Sequence, residues 1–468
     1  MDSEEYYYME GGKKRIKHKF LGQGSYGCTI TPGLDCKGKT NKYVYTVNKI
    51  QEVNFNSKNE IEISNLIRKI KGYNKRFSPI LKSCIVKFNQ IQSSKDIISS
   101  CETENLFSSN SLDPGFIKNE YYMFYMRYIK GDGLKNYLLS TKTNYLFFDN
   151  FFYSLYYLLN SIYLLNQNKI VHNDLHYNNI MVETSTNTPL LIDFGLSFKY
   201  KSLLKNSYGF DYRYLRKYFF DWRELMYWHL MEKKFISFII DNHSPYFNSY
   251  VDSDYTENKL TKEIIDIFVN DAFYSFYNEI EIKMLFQENE FQEFFKVLKN
   301  FYYRFLPSND KYKYYSNIIH ELLPFVLKFN DLHSITSCFT QIFYKKINKE
   351  INKEINEQNN SIKYIVIYDF IKGLFKKVYY PDPNYRLSIY QFISIFSFVF
   401  RFCQNIDDKN LKDKNYIEEF NIGFKSLLHD LSIDFNLFFD KNFSYIDFDL
   451  LLEKENIILI KNFNFKII

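Results

Sequence analysis

Cysteine, proline, glycine and tryptophan are scarce in this chain of 468 residues, which holds 6 Cys, 9 Pro, 15 Gly and 2 Trp and almost no Ala. The cysteines (Cys28, Cys36, Cys84, Cys101, Cys338 and Cys403) include no CxxC pair. That argues against a zinc site and a disulfide framework, and for a reducing, intracellular compartment. The N-terminus, Met1-Asp2-Ser3-Glu4-Glu5, is acidic where a secretory leader is basic. Long hydrophobic runs are lacking too. The most apolar stretch, about 151–171, is interrupted by Ser154, Asn160, Ser161 and Asn166, and reads as a buried helix rather than a membrane span. Neither sign of charge dominates: 60 basic against 54 acidic residues give a net charge of +6, short of a nucleic-acid footprint. The one basic run, Lys13 to Lys19, reads as a solvated strand.

What is abundant is aromatic: 48 Phe and 43 Tyr in a chain that is 46% hydrophobic. Together with plentiful Lys, Asn and Ile, this is the residue usage of an AT-rich genome, and it needs no stacking surface for nucleic acid to explain it. The length suits one large domain with insertions, or two domains.

From about 18 to 130 the pattern is mostly strands with one helix. Tyr43 to Ile50 and Tyr121 to Tyr128 read as strands, and Lys130-Gly131-Asp132-Gly133 as a turn. Asn59 to Ile70 carries a helical stripe at Ile63, Leu66, Ile67 and Ile70. From about 134 helices dominate, apart from a hairpin-like pair near Asn179–Val182 and Leu190–Asp193. Residues 225–325 look like a helical, aromatic insertion, and 345–358 repeat a tetrapeptide (Ile347-Asn348-Lys349-Glu350, Ile351-Asn352-Lys353-Glu354, Ile355-Asn356-Glu357-Gln358) that suits an exposed charged helix.

Three short stretches carry chemistry. Gly22-Gln23-Gly24-Ser25-Tyr26-Gly27 lies between two expected strands, where glycines let backbone N–H groups approach phosphate oxygens. No helix follows at once, which disfavours a dinucleotide fold. Lys49, one strand later, is placed to reach the α- and β-phosphates of ATP, and needs an acidic partner on the next helix. Glu60 and Glu62 both qualify by position; Glu60 lies nearer the apolar stripe and is expected to face inward. In His172-Asn173-Asp174-Leu175-His176-Tyr177-Asn178-Asn179, Asp174 can accept the proton of an attacking hydroxyl and Asn179 can ligate Mg²⁺. Asp193-Phe194-Gly195 begins nineteen residues after Asp174 and offers a carboxylate to the same metal. His172 and His176 have the spacing of a helical metal-binding pair, but Ile180-Met181-Val182 argues for a loop running into a strand.

In this order the motifs resemble the eukaryotic-type protein kinase family. Gly22, Gly24 and Gly27 match its glycine loop, Lys49 its strand lysine, Asp174 and Asn179 its catalytic loop, and Asp193-Phe194-Gly195 its metal-binding motif. Asn330-Asp331-Leu332-His333-Ser334-Ile335 resembles the start of the family's long buried helix, whose Asp braces the catalytic loop. Asp382-Pro383-Asn384-Tyr385-Arg386-Leu387-Ser388 resembles the motif bearing its buried arginine. Gly24 to Cys28, with Pro32 and Cys36 downstream and the AT-rich usage, is most similar to the serine/threonine kinases of nucleocytoplasmic large DNA viruses.

The resemblance implies a bilobal α+β fold. Its parts are an N-terminal segment (1–16), a β-rich N-lobe (17–130), a helical C-lobe (131–402) with the 225–325 insertion and the 345–358 linker, and a C-terminal extension (403–468). It implies ATP and Mg²⁺ as cofactors and protein substrates bearing Ser or Thr, with neither nucleic acid nor membrane as partner. ATP would lie against Leu21, Gly22, Gln23, Gly24, Ser25, Tyr26, Gly27, Cys28 and Thr29, with Lys49 and Glu60 beside it. Met126 would stand at the back of the pocket and Arg127 to Ile129 at its hinge.

Several departures matter. The family's His-Arg-Asp is His172-Asn173-Asp174, so no cation is expected beside the catalytic Asp, and activity should not depend on phosphorylation of 196–222. The lysine that serine/threonine kinases place two after that Asp is His176, and Asp174-Leu175-His176 resembles small-molecule phosphotransferases of the aminoglycoside and choline type. Those usually lack a full glycine loop and the second C-lobe motif. A pseudokinase scaffold is the third reading, against which stand the retained Lys49, Asp174 and Asp193. The usual Ala-Pro-Glu is missing; Trp222-Arg223-Glu224 is the nearest substitute, with Glu224 the expected partner of Arg386.

Overall fold

Short β-branched and aromatic runs make strands early in the chain, and long runs with helical spacing make helices after them. The computed structural model describes residues 7–10, 13–16, 19–24, 27–37, 46–87, 120–141, 144–206, 209–210, 212–219, 229–241, 260–277, 285–286, 288–306, 314–354, 373–405 and 414–433. It divides into two units: Met1–Asp132 with Asn179–Lys199, and Gly133–Asn178 with Tyr200–Ile468. The first is built on a small antiparallel sheet and the second is helical, the α+β class expected of a kinase domain.

In the first unit β1 (Tyr7–Glu10) and β2 (Lys13–Ile16) form a hairpin. The main sheet contains β3 (Lys19–Gly24), β4 (Gly27–Thr31), β5 (Thr46–Glu52), β6 (Lys82–Lys87) and β7 (Glu120–Arg127), in the order β3-β4-β5-β7-β6. Alternation along the strands puts Cys28, Ile30, Ile50, Tyr121 and Met123 into one buried cluster. Lys49 therefore falls on the opposite face, level with Thr29 on β4 and Phe124 on β7.

Helix α1 (Phe55–Ile67) starts four residues earlier than its apolar stripe suggests, because Asn54 and Ser57 cap it reciprocally, backbone N–H to side-chain oxygen at 2.9 Å each way. Its inward face carries Asn59, Glu60, Ile63, Ser64 and Ile67.

Two expectations are corrected in this unit. Gly131–Gly133 is a short strand (β8) rather than a turn, paired with β9 (Ile180–Glu183), which in turn pairs with β10 (Thr188–Leu191). A Cβ at Gly131 would lie 1.7 Å from the Val182 carbonyl oxygen, so only glycine lets the strands approach this closely. Second, Cys36 and Cys84 form a disulfide, which the expectation of a reducing compartment and no disulfide framework did not foresee. They stand 48 residues apart, with no spacing motif to announce them; the fold of the sheet brings their Cα atoms to 6.0 Å. The argument for a reducing compartment falls with that correction.

The second unit comprises α2 (Leu134–Leu139), α3 (Asn144–Gln167), α4 (Tyr212–Tyr218), α5 (Met231–Asp241), α6 (Lys262–Tyr277), α7 (Glu288–Tyr303), α8 (Tyr315–Glu354), α9 (Ile389–Asn405) and α10 (Lys414–Asp430). Helix α8 is its axis, packed against α3, α5 and α9. Phe151 of α3 meets Phe339 of α8 edge-on at 4.9 Å, and Phe235 of α5 lies 4.3 Å from Tyr302 and 4.8 Å from Phe268. Among the described residues, many of the phenylalanines and tyrosines are thus core material. Helix α8 runs on through the first two tetrapeptide repeats, and the third lies outside the described residues. No described helix is long and apolar enough to cross a membrane.

Candidate active site

In the first unit the site is built on β5, α1 and the end of the β9–β10 hairpin. The Lys49 Nζ donates to Glu60 Oε2 at 3.1 Å and to Asp193 Oδ2 at 3.2 Å. Lys49 and Glu60 are buried, whereas the Asp193 side chain is 41% exposed. Burial opposes the charge on Lys49, but Asp193 and Glu60 outweigh it and hold its pKa above the ordinary lysine value. Glu60 is pushed up to about 7 by burial, with Lys49 pulling down and Asp193 pushing up. Glu62, on the side of the helix, is exposed.

Asp193 takes a left-handed backbone (φ 58°), and its Oδ1 accepts from the Gly195 N–H at 3.3 Å. Phe194 is buried, edge-on to Phe77 at 6.3 Å. Asn59, one residue before Glu60, donates its side-chain amide to the carbonyls of Gly195 (2.9 Å) and Ser197 (2.6 Å). Sequence reasoning missed Asn59; its one signal is an amide inside an otherwise inward-facing stripe. The hairpin pairs Ile180 with Leu191, and the Ile192 N–H donates to the Asn179 carbonyl at 3.0 Å, so Asn179 and Asp193 both emerge from the hairpin's open end.

Of the glycine-loop residues, Leu21, Gly22, Gln23 and Gly24 lie on β3 and Gly27, Cys28 and Thr29 on β4, with Gly24 opposite Gly27. Ser25 and Tyr26 lie outside the described residues. A Cβ on Gly27 would come 2.5 Å from the Ile50 carbonyl oxygen, so glycine is required for β4 to pair with β5 there. Leu21 is exposed and Cys28 buried. Met126 and Arg127 end β7, Met126 opposite Val47, and Ile129 follows the strand. The Arg127 guanidinium is committed to Glu183 and to the Asn74 carbonyl (3.0 Å).

In the second unit, residues 172–176 have no regular structure and 177–179 form a 3-10 turn. His172 and His176 are therefore not a helical pair. Asn173 is left-handed (φ 67°), a conformation asparagine tolerates better than most residues. Asp331 of α8 accepts from the backbone N–H of His172 (2.7 Å) and of Asn173 (3.0 Å), and thus grips the segment that carries Asp174. His176 Nε2 stands 3.8 Å from Asp174 Oδ2, and its Nδ1 accepts from the Asn178 N–H at 3.3 Å.

Helix α5 overturns one expectation and adds a residue that the sequence did not single out. The partner of Arg386 is Glu232, not Glu224, which lies outside the described residues. The guanidinium meets both Glu232 carboxylate oxygens, at 2.8 and 2.9 Å, with both side chains buried. And a buried amine reaches the segment that carries Asp174: Lys233 is fully buried and donates its Nζ to the Asn173 carbonyl at 3.2 Å. Burial lowers its pKa to about 7, against the upward pull of Asp174 and Asp331. Sequence reasoning passed over both residues because they fall in the apparent insertion; the only hint is charge inside the apolar run that begins at Leu230-Met231.

Residues 16–215 match the family model described as protein kinase domain. Over that segment the match supports a eukaryotic-type protein kinase, and with it phosphotransfer and ATP binding. No curated protein matches the chain.

Proposed function

We propose that the chain is a serine/threonine protein kinase that transfers the γ-phosphate of ATP to protein hydroxyls. The observation that carries this reading is the buried Lys49, held between Glu60 and the half-exposed carboxylate of Asp193. A lysine so held is pre-organised for phosphate, and its two partners keep it protonated.

The donor chemistry fits Mg²⁺: Asp193 and Asn179 supply hard oxygen ligands from the open end of one hairpin. When bound, the metal would offset the charge that develops on the phosphoryl group. Lys49 and the glycine-loop N–H groups would hold the phosphates, and the backbone of Arg127 to Ile129 the adenine. Asp174, braced through Asp331, would orient the acceptor hydroxyl and take its proton. The Ser/Thr acceptor, and a source among large DNA viruses, rest on the resemblance of the motifs alone.

The test is transfer from radiolabelled ATP with Mg²⁺, comparing wild type with Asp174→Asn on basic proteins and on the chain itself. Transfer that disappears in the variant supports the kinase, and phosphoamino-acid analysis then identifies the acceptor. Wild-type protein that binds ATP but modifies only aminoglycosides or choline would establish the small-molecule reading instead. Absence of ATP binding would favour the scaffold.

A further inference from the structure

Lys233 is an unusual resident of a core. Its side chain is fully buried on α5, and among the described residues its Nζ makes one hydrogen bond, to the Asn173 carbonyl oxygen at 3.2 Å. No described carboxylate lies within ion-pair distance of it. An amine taken out of water for a single carbonyl bond is a net cost to folding, and an apolar side chain of the same length would pack there more cheaply. Stability is therefore a poor account of why a lysine occupies the position.

The bond's location supplies a better one. Asn173 is gripped at both ends of its backbone: its N–H by Asp331 at 3.0 Å, its C=O by Lys233 at 3.2 Å. That carbonyl belongs to the peptide joining Asn173 to Asp174. Because a peptide is planar, fixing its oxygen fixes the direction in which the Asp174 backbone leaves it. The left-handed Asn173 makes this hold more necessary, since that conformation has little intrinsic preference to keep itself in place. The chain also lacks the usual local cations, having Asn173 before Asp174 and His176 two residues after it.

We propose that Lys233 is a positioning residue for Asp174. From a helix 60 residues further along the chain, its Nζ sets the plane of the peptide that carries the base, in a catalytic segment that has no arginine or lysine of its own. The inference rests on the protein kinase reading and adds to it a residue outside the family's motifs.

The experiment compares steady-state transfer and thermal melting for the full-length wild type, Lys233→Met and Lys233→Arg. Lys233→Met is expected to lower kcat about 10- to 100-fold, the cost of a slightly misdirected catalytic group. Its KM for ATP should stay within about twofold of wild type, because the residue touches neither phosphate nor metal ligand. Its melting temperature should not fall. Lys233→Arg, which keeps a donor at the position, should recover most of the lost kcat. A Lys233→Met enzyme with wild-type kcat overturns the proposal. So does a loss of kcat matched by a fall in melting temperature with no recovery in Lys233→Arg, since that is what packing alone would give. Should Lys233→Met fail to fold, Lys233→Gln replaces it under the same criteria. A wild type that transfers to no acceptor overturns the kinase reading itself, an outcome distinct from an active wild type with indifferent variants.

Discussion

Arg386 and Glu232 form a two-point ion pair at 2.8 and 2.9 Å, 154 residues apart in sequence and shut away from solvent. The fork of the guanidinium matches the carboxylate, and its remaining N–H groups reach the carbonyls of Tyr380 and Pro381. Removing one partner strands a buried charge. Glu232→Ala and Arg386→Ala are each expected to destabilise the second unit by about 3–5 kcal/mol, and the double variant by much less than the sum. Urea denaturation of all three decides the matter; additive losses would mean that the two residues do not act as a pair.

Asp193 and Glu60 both hold Lys49, but Glu60 is buried whereas the half-exposed Asp193 is the metal ligand in the proposed reading. Asp193→Asn is expected to reduce Mg²⁺-dependent turnover by about a hundredfold or more. Glu60→Gln should cost about tenfold, because Lys49 keeps one of its two carboxylates. Turnover titrated with Mg²⁺ for both variants provides the check, and a Glu60→Gln defect deeper than that of Asp193→Asn would contradict the assignment.

Lys233 has a folded pKa of about 7, below its ordinary 10.5. At pH values between these two, the unfolded chain holds the proton and the folded chain has released it, so stability rises with pH across that window. The cost of burying Lys233 is therefore complete below about pH 7 and fades toward pH 10. Lys233→Met should be more stable than wild type by a few kcal/mol at pH 6, with the gain shrinking by pH 9. Chemical denaturation at the two pH values reads this directly, and a gain independent of pH would show that Lys233 does not titrate as described.

The Cys36–Cys84 bond closes a long loop through the first unit's sheet. Cys84→Ser, or reduction of the wild type, should lower stability by about 2–4 kcal/mol. Peptide mapping without reductant tests the bond itself: free thiols at both positions in the native protein would refute it.

Phosphorylation of residues 196–222 is expected to leave activity unchanged. Asn173 carries no charge, and Lys233 points its buried Nζ at a backbone carbonyl, where no phosphate can reach it. Phosphatase treatment should alter the rate by less than about threefold; a tenfold change would show that another cation receives the phosphate.

Much of the architecture could be read along the chain, because local pattern encodes it. The strands flanking Gly22 to Gly27, the inward face of α1 with Glu60 on it, and the hairpin that presents Asp193 all follow from alternation or helical spacing within a few residues. Even the grip of Asp331 on the catalytic segment was legible, though only through the resemblance of its motif. Errors arose where local signals compete: the start of α1 was missed because Asn54 caps it, and β8 because Gly131 suits a turn as well as a close strand pair.

The sequence by itself determined on what kind of element each candidate side chain would lie, since that is a property of short segments. Only the tertiary structure decided who meets whom: Glu232 rather than an earlier acid opposite Arg386, Lys233 on the Asn173 carbonyl, Asn59 under Gly195, and Cys36 against Cys84. Those meetings span from 48 to 154 residues of chain. Over such separations no periodicity survives, and the partner is selected by which buried polar group would otherwise be left unsatisfied once the sheet and helices have packed.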